Sequence, residues 1–283
     1  MAGFPEIFRF KIGIYVDLFV KWLMRDFGEV FAAIDSGILY FLVNIERFLL
    51  WLPWWIFLLV IFLLGWKTKD IKAGFSYAIL VFFIGTFGLW DFMMMTLAIV
   101  LASVVISLLF GIPIGILMAY YERLNMIMRP ILDAMQTMPS FVYLIPALML
   151  FDMGKVPAVF ATTIYAIAPV IRLTDLGIRQ VPHVMVEAAH SFGSSNWQTL
   201  TKVQLPQALP TIMTGINQTT MMALSMVVVA SMIGAKGLGL EVLYAIQRID
   251  IARGFEAGIS IVFLAIIIDR MSQGVAKRFK YPE

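Results

Sequence analysis

Apolar residues arrive in blocks separated by short charged connections. The blocks fall near Leu49 to Gly65, Ile71 to Gly88, Phe92 to Tyr120, Ser140 to Phe151, Val156 to Ile171, Thr211 to Gly234 and Phe255 to Ile268. A helix rises about 1.5 Å per residue and a hydrocarbon core is about 30 Å thick, so blocks of this size suit crossings. Backbone groups in lipid must bond within their own segment, which makes the crossings helical. The pattern predicts an all-α integral membrane protein with about seven transmembrane helices. Pro139 and Pro146 interrupt the fourth block, so a kinked helix that begins earlier, within Ile131 to Met138, is expected there. The third block carries Gly111, Pro113 and Gly115, where a bend is expected. No internal repeat stands out.

The chain before the first block is of another kind. Phe4, Ile7, Phe8, Ile12, Tyr15, Leu18, Phe19, Trp22 and Leu23 recur at helical spacing against a charged face. That pattern suits an amphipathic helix lying in the membrane interface, or one packing along the bundle, and either makes the segment a scaffold. The chain divides into this segment over 1–48, two spans over 49–91, a core over 92–270 with a polar loop at 172–210, and a tail over 271–283.

Composition agrees with the pattern. Apolar residues make up 61% of the 283 positions and charged residues 14%, and the mean hydropathy is +0.91, beyond the range of a soluble domain. Cysteine is absent, which removes disulfides, thiolate metal sites and cysteine nucleophiles together. The first 30 residues are broken by charges such as Glu6, Arg9, Lys11 and Asp17, so the first span, not a cleavable signal peptide, is expected to direct insertion. The net charge of +3 reflects basic residues at span ends, which set orientation; no nucleic-acid partner is expected.

Orientation follows from where the basic residues fall. One set of connections holds Lys67, Lys69, Lys72, Arg123, Arg129, Arg172, Arg179, Lys202, Arg270, Lys277, Arg278 and Lys280; the other holds Lys155, Lys236, Arg248 and Arg253. This asymmetry puts the 172–210 loop and the C-terminus in the cytoplasm and the N-terminus outside. The basic residues of the first 48 positions oppose that assignment, but long segments cross with little regard to charge.

The loop has its own punctuation. Pro182, then His183 to Phe192, then Gly193 read as a helix of about three turns with proline at its start and glycine at its stop. Ser195 and Gln198 form a capping box for a second helix, and Pro206 opens the approach to the next span. Two short helices make a rigid elbow, with Ala188 and Ala189 keeping it slim and Glu187 available for a charged contact. His183 and His190 lack a third ligand and read as solvated loop residues, not a metal site.

Glu187, Ala188 and Ala189, followed at fixed spacing by Gly193, Leu205 and Pro206, resemble the EAA loop of binding-protein-dependent ABC importer permeases, with Val203 where isoleucine is commonest. The stretches LDAMQTMPSFVYLIPAL from Leu132, IRLTDLGIRQVP from Ile171, KVQLPQALPTI from Lys202 and GINQTTMMALSMVVVASMIGAKGLG from Gly215 are similar to its glycine betaine/proline/choline branch. The likeness extends over roughly Phe92 to Gln273.

The resemblance implies a type I importer permease in a bacterial or archaeal cytoplasmic membrane, working as a dimer. It implies a cytoplasmic ATP-binding subunit docked on the EAA loop and an extracytoplasmic binding protein that delivers glycine betaine, proline betaine, choline, carnitine or proline. Uptake in that branch serves osmoprotection, and another small amino-acid-like solute is the alternative cargo. The sequence has no GxxxxGK[ST] loop, so no cofactor is expected on this chain, and ATP and Mg belong to the partner ATPase.

For the pathway, the span after the loop is the place to look. Asn217, Gln218, Thr219, Thr220 and Ser225 interrupt an apolar helix, and Gln218, Met221, Met222 and Ser225 share a face by their spacing. Polar groups there either tie helices together or line a water-filled path, and the sequence supports both. No aromatic cage stands out, which assigns high affinity to the binding protein. An ion-coupled secondary transporter would need ionisable groups at mid-membrane, and the blocks hold almost none. An intramembrane enzyme would need a nucleophile with a base, or HExxH, and neither occurs. Asp91, Asp152, Glu241 and Asp269 fall at span edges, where they read as caps and solvated groups.

Overall fold

A computed structural model describes residues 12–277, and these are helical, with no strand among them. Phe4, Ile7 and Phe8 of the amphipathic stripe, and Arg278 and Lys280 of the tail, lie outside the described residues. The helices are α1 (Ile12–Trp51), α2 (Trp54–Thr68), α3 (Ile71–Thr86), α4 (Trp90–Tyr120), α5 (Glu122–Thr137), α6 (Leu144–Phe151), α7 (Lys155–Arg179), α8 (His183–Ser191), α9 (Asn196–Thr199), α10 (Leu205–Ala230), α11 (Leu238–Arg248) and α12 (Ile251–Lys277).

The span count differs from the expectation of about seven. Five helices are long and apolar enough to cross a membrane, and a sixth span results if α5 and α6, bent by 110° across Pro139, count as one. α2 and α3 have only 15 and 16 residues, about 24 Å at most by helical rise: Pro53 leaves Leu49–Trp51 of the first block in α1, and α3 stops at Thr86 ahead of Gly88, whose φ is +69°. Asp70 caps α3 by accepting from the Ala73 backbone N–H at 2.7 Å. α1 makes up part of the difference, since Gly13–Trp51 includes a stretch that meets the length and hydropathy of a crossing. The helix runs through position 48 and is interrupted only by the kink at Phe27.

Packing centres on α4, α7 and α10. Inside a membrane no hydrophobic force pulls helices together, so close backbone contact through small residues does that work. A Cβ added to Gly111 would stand 2.5 Å from Val170 Cγ1, and one on Gly115 2.6 Å from Thr174 Cβ and 2.7 Å from the Ile171 carbonyl. A Cβ on Gly215 would meet Leu173 Cβ at 3.0 Å and the Pro169 carbonyl at 3.3 Å. The expected bend at Gly111, Pro113 and Gly115 is not a break: α4 is one helix with Pro113 inside it, and its glycines let α7 approach.

Ion pairs pin the periphery. Lys155 Nζ donates to both carboxylate oxygens of Glu46, at 2.7 and 2.6 Å, and so ties α1 to the start of α7. Arg253 donates to Glu241 at 2.9 Å and to the Phe87 carbonyl at 3.1 Å, which binds α11, α12 and the end of α3.

Candidate functional site: an exposed loop on a continuous helix

The chain leaves α7 at Arg179, turns at Pro182 and forms α8, none of whose residues is buried. Glu187 and Ala188 are exposed and Ala189 is half-buried. Glu187 faces His183 one turn earlier, with Nδ1 and Oε1 3.1 Å apart. Val184 is 74% exposed and Phe192 93%, so the α8 elbow offers apolar as well as acidic surface.

Gly193 ends α8 for a conformational reason. Its φ of +82° is left-handed, the Gly193 N–H donates to the His190 carbonyl at 2.9 Å, and the Ser194 N–H donates to the Ala189 carbonyl at 3.1 Å. This is the Schellman arrangement that glycine favours at a helix stop. The second helix begins with the capping box read from Ser195 and Gln198: Ser195 Oγ accepts from the Gln198 N–H at 3.3 Å, and Gln198 Oε1 accepts from the Ser195 N–H at 2.9 Å.

The second helix is not the separate short element expected. α9 passes through a π-helical turn at Leu200–Gln204 directly into α10, so helix is continuous over Asn196–Ile233. Leu205 and Pro206, both half-buried, open α10, and the π-helical turn ahead of them accommodates a proline that has no N–H to donate. Leu205 packs on a small core of Ile178, Leu200, Ala208 and Ile212 that ties the root of the loop to α7.

The polar stretch of α10 divides between two faces. Asn217 turns inward and donates to Asp269 of α12 at 3.0 Å, and Asp269 also accepts from Gln273 at 2.8 Å. Asp269 is therefore a partner between helices rather than the solvated span-edge group it resembles in the sequence. Thr219 is fully buried, and Thr220 donates to the Ile216 carbonyl at 2.8 Å. Gln218 and Ser225 are exposed, Met221 lies half-buried between them, and Met222 packs on the main core.

Gln218 also lines a cavity of about 370 Å3 with Arg129, Asp133 and Gln136 of α5 and Arg172 of α7. Arg172 pairs with Asp133 across that cavity. Nearby, buried Asp175 accepts from Asn125 at 2.8 Å and from Arg179 at 2.7 Å, while Arg179 donates to Glu122 at 2.8 Å and to the Met118 carbonyl at 2.7 Å. These polar groups join the ends of α4, α5 and α7 just before α8. Sequence reasoning missed the network because its members are up to 61 residues apart.

Five or six helices long and apolar enough to cross a membrane, with an exposed two-helix elbow between α7 and α10, make this a multi-pass membrane protein. The chain belongs to the family of binding-protein-dependent transport system inner membrane components, whose family model matches residues 111–281. A glycine betaine/proline betaine transport system permease protein of Escherichia coli is 45% identical over 91% of this chain and 73% of its own length. A glycine betaine transport system permease protein of Bacillus subtilis is 44% identical over 96% of both chains. The methionine ABC transporter MetNI, solved in inward-facing conformations, shares the fold with a TM-score of 0.60 at 20% identity, over 66% of this chain and 94% of its own.

Proposed function

We propose that this chain is the membrane subunit of an ATP-driven importer for small compatible solutes of the glycine betaine type, with proline betaine, choline, carnitine and proline as the solute class. The names of the relatives support that cargo, and the physical reading supports the way it is moved. The observation that carries the reading is the exposed α8 elbow joined by unbroken helix to α10, whose Gln218 and Ser225 stand unpartnered by other helices.

In this reading a separate cytoplasmic ATPase seats α8 in a cleft, with Glu187 and the apolar Val184 and Phe192 as its contacts. Closure of two such ATPases around ATP and Mg shifts the elbow. Gly193 and the Ser195 cap keep the elbow from flexing, so the shift passes into α10 and tilts it. Glu187, Ala188, Ala189, Gly193, Leu205 and Pro206 are thus the transmission site, and no group on this chain performs catalysis. Gln218, Met221 and Ser225 face the solute path in a dimer of this chain, Met222 supports that face from behind, and Asn217 serves to fasten α10 to α12. An extracytoplasmic binding protein delivers the solute at the end opposite α8, which places α8 and the C-terminus in the cytoplasm.

The test is uptake of labelled solutes into proteoliposomes containing the permease, ATPase and binding protein, with parent and Glu187→Lys chains. The parent should accumulate glycine betaine only with ATP and should continue to do so after collapse of ion gradients, and E187K should insert normally yet not transport. Uptake that stops with the ion gradient, or full transport by E187K, would refute the reading.

A further inference from the structure

The polar contacts between α5 and α7 fall on one face of each helix. On α5 they are Glu122, Asn125 and Asp133, and Arg129 shares their face by the spacing of three and four residues; on α7 they are Arg172, Asp175 and Arg179. The two stripes pair in opposite directions along the chain: Glu122 with Arg179, Asn125 with Asp175 and Asp133 with Arg172. The rungs are unevenly spaced. From Asn125 to Asp133 α5 rises about 12 Å, while from Arg172 to Asp175 α7 rises only about 4.5 Å, so Arg172 reaches along α5 past Arg129 to find its carboxylate. The cavity of about 370 Å3 that Gln218 lines lies there, with Arg129, Asp133 and Arg172 in its wall.

The two ends of this ladder differ in strength. At the Asn125 end the groups are enclosed: Asn125 and Asp175 are buried, and Arg179 is also held by the Met118 carbonyl. At the Asp133 end they are open to water, with 65% of the Asp133 side chain and 38% of the Arg172 side chain exposed, and α5 stops soon after, at Thr137, ahead of the 110° bend. An ion pair this exposed contributes little. Arg129 stands one turn before Asp133 and has no partner among the described residues. Residues four apart on a helix are neighbours, and an opposite-charge pair at that spacing is also weakly favourable. One carboxylate therefore serves two guanidiniums, and neither bond is strong enough to exclude the other.

We infer that Asp133 is a switch passed between Arg172 and Arg129. Bonded to Arg172, it fastens the tip of α5 to α7 and keeps the cavity narrow. Bonded to Arg129 on its own helix, it leaves the ladder closed only at the Asn125 end, and the tip moves away from α7. Leu132 stays packed with Met118, Ala168 and Ile171, so the motion is a tilt of the last turn of α5 about that contact and not a separation of the helices. The consequence for transport rests on the proposed function, in which Gln218 faces the solute path: the switch sets how widely that path opens towards α8. Arg129, Asp133 and Arg172 are positioning residues, which hold the wall of the path and need not touch the solute.

The switch is tested by distance. The chain has no cysteine, so spin labels on Ala134→Cys and Gln180→Cys, both at exposed positions, report the separation of the α5 tip from the end of α7. The full chain is measured in nanodiscs, diluted with unlabelled chain so that only separations within one chain count. The parent should show two separations. Arg172→Gln should lose the shorter and Arg129→Gln the longer, while Arg172→Lys, which keeps the charge, should retain both. Side chains with a merely structural role would not move the distribution in opposite directions. A single separation in the parent, or the same shift in both glutamine variants, would overturn the inference. Uptake into proteoliposomes with the ATPase and binding protein is measured in parallel, and both glutamine variants should slow it, since each holds one state. Full uptake by both would overturn the role of the switch in transport, whereas a parent without ATP-driven uptake refutes the proposed function and leaves the distances to decide the switch.

Discussion

Replacement of Asp175 by alanine should loosen the root of the α8 loop and can be given a magnitude. Asp175 is 6% exposed and accepts from Asn125, which is fully buried, and from Arg179. Its removal strands the Asn125 amide, whose Oδ1 already lacks a partner among the described residues, at a cost of about 1–3 kcal/mol. Arg179 keeps Glu122 and the Met118 carbonyl, and its side chain is 30% exposed, so its own loss is discounted to about 1 kcal/mol. The total of about 3 kcal/mol corresponds to a fall of about 6–12 °C in the melting temperature of a chain this size. Thermal unfolding in detergent of parent, Asn125→Ala, Asp175→Ala and the double variant reads it directly. The double variant should lose less than the sum of the singles by at least about 1 kcal/mol, because both remove the same bond. Strict additivity, or a fall of under about 2 °C for Asp175→Ala, would refute the argument.

Three further outcomes are expected. Gly193→Val places a β-branched residue at φ +82°, where only the backbone objects since a Cβ would meet open space; it should cost about 1–2 kcal/mol locally, leave membrane insertion intact and abolish solute-stimulated ATP hydrolysis in the reconstituted complex. The chain lacks cysteine, so single cysteines report cleanly: those at 218 and 225 should react with small polar thiol reagents, and those at 217 and 219 should stay protected. Gly115→Leu drives side-chain atoms into Thr174 and the Ile171 carbonyl, and should prevent a folded, protease-resistant permease from accumulating, unlike a substitution at Gly258, where nothing lies within 4 Å of an added Cβ.

Local chemistry is legible in the sequence, and tertiary pairing is not. Pro182, Gly193 and the Ser195–Gln198 pair announce the limits of α8 and the start of α9 because capping depends on neighbours three to five residues away. Hydropathy runs the first block across Pro53 and the second through to Gly88 because it does not register that a proline and a left-handed glycine end helices. α1 reads as a surface helix because Asp17, Lys21, Arg25 and Asp26 dominate its first half, while its second half is apolar enough to cross. The division of α10 into a fastened Asn217 and an unpartnered Gln218 depends on the position of Asp269, 52 residues further on.

The two roots of the α8–α9 loop are secured to each other as well as to the membrane. α7 ends where the loop begins and α10 rises where it closes, and these helices meet nearly backbone to backbone at Gly177 with Ala208 and at Gly215 with Pro169. The loop is therefore a handle bolted at both ends to one beam. Under the proposed function, a push on it would therefore be expected to move α7 and α10 together rather than α10 alone.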